Sequence, residues 1–333
     1  MQDAKSRKEE RATIAGLAAA IGAFVLWGVL SIYWKVFGAI TAYEVVAHRI
    51  VWTLAVSAVL LTIGRRWKEF ARDFTTPSGL GLAFARGALL IGNWLAFIWG
   101  VNHDRLLECS LGYYINPLLS VLLGWAVLRE RLRPAQLVAI GLAAIGVALL
   151  LFKGEGIPWV GLVLACTFAS YGLLRKVSRA ESVPGLAGEM VFASVPAAAF
   201  LVWLECGTGG AFVRAGAQVT VLLACTGVVT ALPLLLFAYG ARRISLTAVG
   251  FAQYLAPSIM FALGALPYGE SVAGIIPTFV LIWIALAVFS WDGVAAKRRR
   301  SQSDRIERDK DAKAEADAGA GTPLHDTSPS AKS

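Results

Sequence analysis

Long apolar runs separated by short polar interruptions make up most of the chain. The runs fall at about 13–34, 43–63, 80–102, 107–128, 134–152, 157–174, 184–205, 217–239, 246–267 and 271–292. At 1.5 Å per residue each is long enough, as a helix, to cross roughly 30 Å of hydrocarbon. A spanning strand would be about half that length and would alternate apolar and polar positions; these runs do neither. The pattern therefore predicts an all-α membrane protein with ten transmembrane helices.

Composition supports this. Hydrophobic residues make up 57% of the chain and charged residues only 16%, where a soluble domain carries about a quarter charged. Mean hydropathy is +0.64. The first run follows a charged start and is too long for the apolar core of a cleavable signal, so it reads as a span.

The net charge of +9 would suggest a nucleic-acid partner in a soluble chain. Here its placement points to topology instead. Lys5, Arg7, Lys8 and Arg11 precede the first run, and Arg65, Arg66, Lys68 and Arg72 follow the second. Arg129, Arg131 and Arg133 follow the fourth, and Arg175, Lys176 and Arg179 the sixth. Arg242 and Arg243 follow the eighth, and Lys297 to Arg300 the tenth. The intervening loops hold little beyond Lys35, Arg105, Lys153 and Arg214. The positive-inside rule then predicts a multi-pass protein of the cytoplasmic membrane with both termini cytoplasmic. Its partners are the bilayer and a small molecule, and no nucleic acid is expected.

Residues 294–333 read as a disordered cytoplasmic tail. From 301 onward they contain no aromatic residue and cannot bury enough surface to fold. The four cysteines, Cys109, Cys166, Cys206 and Cys225, form no CxxC pair and read as small apolar fillers.

Sliding the chain against itself by 140 residues aligns 97–130 with 237–270 without a gap. Phe97 falls on Phe237, Gly100 on Gly240, Leu106 on Leu246 and Tyr114 on Tyr254. Pro117 falls on Pro257, Gly124 on Gly264 and Glu130 on Glu270. Chance apolar similarity matches Leu and Ala, not Gly, Pro, Tyr and Glu together. Duplication divides the chain into a cytoplasmic start (1–12), a first half (13–152), a second half (153–293) and the tail. Five spans per half is an odd number, so the second half enters the membrane inverted. Inverted repeats with a site near the midplane are characteristic of secondary transporters.

The strings "WGVLSIYWK", "EVVAHRIVW", "GNWLAFIWGVN", "ECSLGYYINPLLSVLLG", "SYGLLRK", "FAQYLAPSIMF" and "YGE" occur in that order. Over residues 12–293 the chain resembles the RarD-like, "chloramphenicol-sensitive" branch of the EamA-type drug/metabolite transporters. The resemblance implies two inverted five-helix EamA-type repeats and a permease function. It also makes the E-x3-HR pattern of Glu44, His48 and Arg49 part of a family signature, without assigning it a role.

Candidate site residues come from polar groups at membrane depth. Pro117 removes a hydrogen bond to the carbonyl four residues back, at Tyr113, and such a group persists only beside protein or a water-filled cavity. Tyr113, Tyr114 and Asn116 lie just before it; Gln253 and Tyr254 lie before Pro257 in the second half. Pro117 and Pro257 are thus expected to break two symmetry-related helices around a central site. Packing kinks with belt tyrosines are the alternative. Asn93 near the middle of its run either bridges helices or faces a cavity. Trp94, with Trp27 and Tyr171 as companions, would give an aromatic wall. Glu44 and His48 are four apart, on one helical face where they can meet, and Arg49 lies about 100° round. These three are candidates for proton coupling, or for a structural ion pair. Arg86, about six residues inside its span, is expected to snorkel.

There is no G-x4-GK[ST] loop, no HExxH, no GxSxG and no His/Cys metal spacing. No metal, cofactor or catalytic activity is expected, and energy comes from a gradient. Efflux of a metabolite or drug is the favoured reading and uptake the alternative. A membrane-embedded enzyme would gather its acids or histidines at one interface, and a sensor would carry a folded soluble domain.

Overall fold

The computed structural model describes residues 2–38, 40–103, 105–152, 158–207, 209–265 and 276–296. Glu270 and the tail beyond 296 lie outside the described residues. Among those described, every regular element is an α-helix. The helices are α1 (Gln2–Val29), α2 (Ser31–Lys35), α3 (Ala42–Ile63), α4 (Trp67–Thr75), α5 (Pro77–Asn102), α6 (Leu106–Ala126) and α7 (Pro134–Leu151). They continue with α8 (Trp159–Val177), α9 (Ser182–Cys206), α10 (Ala211–Arg214), α11 (Ala217–Ala241), α12 (Leu246–Gln253) and α13 (Leu255–Ala265). The last, α14, covers Ile276–Ala296. Among the described residues, seven helices are long and apolar enough to cross a membrane, and three further apolar segments, Leu111–Ala126, Pro134–Leu149 and Leu246–Met260, are shorter.

Helix starts follow local chemistry. Thr76 accepts a hydrogen bond from Gly79 N at 3.2 Å, with Pro77 at the first helical position of α5. Ser245 does the same for α12 through Ala248 N, at 3.0 Å. Faces follow burial. On α1, Ile14, Leu17, Ile21 and Val25 point outward while Ala20, Ala23 and Phe24 are buried. That spacing puts an apolar stripe toward lipid and small residues toward the protein.

The partners are α3 with α9 and α11, α6 with α8 and α12, α1 with α11 and α13, and α5 with α8 and α9. Close approach depends on small residues. A Cβ added to Gly240 of α11 would lie 2.8 Å from the Gly16 carbonyl oxygen of α1.

One end of the bundle gathers basic groups. Glu181, between α8 and α9, pairs with Arg66 at 3.8 Å and Arg242 at 3.3 Å, tying the ends of α3 and α11 together. Arg66 also bonds Glu69 and holds that carboxyl below its usual range. This pair is largely solvent-exposed and contributes little to stability. Glu130 reaches across to the start of α12. It accepts from Leu246 N at 2.6 Å, Thr247 N at 3.0 Å and the Thr247 hydroxyl at 2.7 Å. A carboxylate there satisfies two otherwise orphan N–H groups and complements the helix dipole.

Candidate functional site

Arg49 projects from α3 between two indoles. Its Cζ lies 4.5 Å from the Trp34 ring centroid and 4.2 Å from that of Trp94. Its Nε donates to the Thr230 hydroxyl of α11 at 3.1 Å. Both indole rings flank the guanidinium carbon, and cation–π attraction offsets part of its desolvation. The Tyr113 side chain lies within electrostatic reach and is 43% exposed, packing edge-on to Phe97.

Glu44 and His48 share a face of α3, but they do not form an ion pair. Glu44 instead accepts from Ala211 N, the first residue of α10, at 2.7 Å. His48 stacks on Phe212 with ring centroids 5.0 Å apart, and both its ring nitrogens are buried without a partner. The short α10 thus lies over both groups at the end of the bundle opposite the basic cluster. Glu205 closes the arrangement by accepting from Phe212 N at 2.9 Å. The expected meeting of Glu44 and His48 fails because α10 offers the carboxylate a backbone donor and the imidazole an aromatic face.

The proline-associated residues form a seam between α6 and α12. Gln253 donates to Ser120 Oγ at 3.1 Å, and Ser120 donates to Asn116 Oδ1 at 3.5 Å. Tyr254 donates to the Tyr114 carbonyl at 3.4 Å, and Tyr114 packs edge-on to Phe279. A Cβ on Gly250 would lie 2.8 Å from the Pro117 carbonyl oxygen, so the two backbones nearly touch. The expected break at Pro117 does not occur: α6 runs continuously through it. Only one hydrogen bond is lost, at the Tyr113 carbonyl, and α12 packs closely on the adjoining Tyr114 and Pro117 carbonyls. The second-half segment is interrupted at Tyr254, three residues before Pro257.

Asn93 bridges helices, donating to the Leu164 carbonyl at 2.8 Å and the Thr167 hydroxyl at 2.9 Å. Trp27, Trp94 and Tyr171 belong to one buried cluster, but no ring contact among the described residues pairs Trp94 with the other two. Trp27 packs with Phe24, Phe168 and Phe237. Tyr171 is fully buried, stacked on Phe237.

Tyr171 belongs to a fourth cluster, near the basic end. Glu189 of α9 accepts from Arg86 Nε of α5 at 2.8 Å, from Arg175 Nη2 of α8 at 3.2 Å and from the Tyr171 hydroxyl at 3.2 Å. Arg86 also donates to Ser178. Arg86 does not snorkel. It is 1% exposed, because a carboxylate 103 positions away supplies the counter-charge. A cavity of about 610 Å³ adjoins the cluster, lined in part by Arg72, Thr76, Arg86, Ser178 and Arg179.

Residues 14–152 match the EamA-like transporter family. An "Uncharacterized transporter" of Vibrio cholerae is 44% identical over 290 residues, covering 86% of this chain and 96% of that protein. "Protein RarD" of Streptomyces exfoliatus is 38% identical over 300 residues, covering 89% of this chain and 93% of its own. The chain belongs to the RarD family of EamA-like transporters. A solved crystal structure shares the fold at a TM-score of 0.65 and 20% identity, covering 84% of this chain and 96% of the other. As a RarD-family member it is a multi-pass membrane transporter of the drug/metabolite transporter type.

Sequence reasoning missed several residues of this RarD-family site. Glu189 is an acid inside the apolar run 184–205, which is a signal in itself, since ionisable groups at such depth are rare. Thr230 gave no signal, as a lone hydroxyl in an apolar run is commonplace. Trp34 reads from sequence as an interfacial belt residue, and only the fold brings it onto Arg49.

Proposed function

We propose that the chain is a secondary transporter. It moves a small organic metabolite or drug outward across the cytoplasmic membrane by alternating access between two inverted five-helix halves, 13–152 and 153–293. On this reading the three shorter apolar segments also cross, giving ten spans with both termini cytoplasmic.

The observation that carries the reading is the pairing of helices. Exchange each helix for its repeat mate (α1 with α8, α3 with α9, α5 with α11, α6 with α12–α13) and the most extensive neighbour pairs map onto one another. The α1–α11 pair becomes α8–α5, α3–α11 becomes α9–α5, and α6–α8 becomes α12–α13 against α1; all are in contact. The Tyr254–Tyr114 bond joins residues 140 apart, which is the repeat offset itself. A two-fold axis between the halves accounts for both. Two near-equivalent packings of such halves can open to opposite sides.

Each end carries a distinct closure. At the basic end, Arg86 of the first half is locked to Glu189 of the second, and opening there breaks that contact. At the other end, α10 of the second half lies on Glu44 and His48 of the first. Asn116, Gln253, Tyr114 and Tyr254 hold the seam between halves, while Arg49, Trp94 and Tyr113 face the path.

Glu44 and His48 are the candidate coupling groups, since a proton on either alters the contact with α10. In proteoliposomes under an imposed pH step, Glu44→Gln and His48→Gln are expected to keep downhill exchange and lose pH-driven accumulation of substrate. Unchanged accumulation in both variants would assign the pair a structural role and move coupling elsewhere.

A further inference from the structure

Arg49 is a half-buried cation inside a membrane-spanning helix with only neutral partners among the described residues. A guanidinium stays charged at physiological pH, and a charge at membrane depth persists beside a partner or a polar cavity. Arg86 and Arg175 share the Glu189 carboxylate. Arg49 has no carboxylate within 4 Å among the described residues; its partners are the neutral Thr230 hydroxyl and two indole faces. Its terminal nitrogens donate to no described residue, and neither is among the buried unpartnered atoms, so both remain accessible.

The geometry dictates what can fill this position. Thr230 occupies Nε, and the Trp34 and Trp94 rings flank Cζ at 4.5 and 4.2 Å. The free edge is therefore the Nη1–Nη2 side, a planar pair of donors matched to two oxygens of one carboxylate. The indoles on either side are apolar walls suited to a flat or hydrophobic body. We infer that Arg49, Trp34, Trp94 and Thr230 form a subsite for the carboxylate of a small, largely apolar or aromatic organic anion. The inference rests on the transport reading and narrows its substrate class. A neutral amphiphile of the same shape leaves the guanidinium without a counter-charge.

The test uses acid–amide pairs of equal shape on the purified full chain at pH 7: phenylacetate with phenylacetamide, and indole-3-acetate with indole-3-acetamide. The acids are expected to bind at least about tenfold more tightly than their amides, since only the carboxylate brings a counter-charge and two acceptor oxygens to the fork. Arg49→Gln removes the preference, lowering acid affinity far more than amide affinity. Arg49→Lys keeps the charge but loses the fork and the stacking, and so falls between. Equal binding of acid and amide by the wild type, or no binding of any of the four, overturns the subsite without recourse to a variant. A preference that survives in Arg49→Gln overturns it as well. Counterflow in proteoliposomes separates the two readings. Movement of the amides but not the acids sinks the subsite and leaves transport standing. Preferential acid binding with no counterflow of either does the reverse.

Discussion

Replacing Glu189 with Ala is expected to cost about 3–5 kcal/mol, the range for stranding one partner of a buried ion pair. Glu189 and Arg175 are fully buried, and Arg86 is 1% exposed. Removing the carboxylate leaves two guanidiniums close together in a low-dielectric interior with only Ser178 and Tyr171 as neutral acceptors. Repulsion between them adds to desolvation. Where α5 crosses α9 the packing is tight, since a Cβ on Gly87 would lie 2.6 Å from the Glu189 carbonyl oxygen. The measurement is membrane abundance and melting temperature for Glu189→Ala, Arg86→Met and the double variant. The double variant should lose less than the sum of the singles, because removing one cation with its anion relieves an unpaired charge. Wild-type melting of Glu189→Ala would mean that water reaches the cluster and the closure at the basic end is not sealed.

Gly227→Ala is expected to pry α3 from α11. A Cβ there would lie 2.5 Å from both the carbonyl carbon and oxygen of Trp52, and 2.6 Å from its Cβ. Two of these are backbone atoms, which cannot rotate away, so the helices must separate; overpacking of this kind costs about 1–3 kcal/mol. The functional loss should exceed the loss of stability. Thr230 lies one turn along the same helix and holds Arg49 Nε across the same interface, so separation lengthens that bond and frees the guanidinium between its indoles. Gly92→Ala and Gly141→Ala, where an added Cβ meets nothing within 4 Å, serve as controls and should behave as wild type. Substrate binding and melting temperature measured on all three decide it. Equal behaviour of Gly227→Ala and the controls would contradict the close crossing.

The spans were legible because hydrophobic thickness sets their length directly. The run 43–63 became α3 at Ala42–Ile63, and 184–205 became α9 at Ser182–Cys206. Helix starts were written locally, in Thr76–Pro77 and in Ser245. The site was less legible because its contacts join distant parts of the chain. Helical spacing put Glu44 and His48 within reach of each other, but α10, more than 160 residues later, supplied competing partners. Arg86 looked like a snorkelling residue because nothing near it in sequence could neutralise it. Pro117 misled for a different reason. The proline rule counts one lost hydrogen bond, and whether a helix then bends or continues depends on what packs against the freed carbonyl. Here Tyr254 and Gly250 pack on the neighbouring Tyr114 and Pro117 carbonyls, and α6 continues through the turn.

Solute counterflow decides whether this bundle carries small organic molecules across the membrane. Purified protein is reconstituted into proteoliposomes loaded with millimolar unlabelled compound, taken from those that raise the melting temperature in a panel of organic acids, their amides and chloramphenicol-like aromatics. The external label is the same compound at trace concentration. The account predicts transient accumulation of label above protein-free vesicles, dependent on internal load and abolished by cross-linking α5 to α9 at the basic end. Label at the protein-free level for every stabilising compound would contradict it.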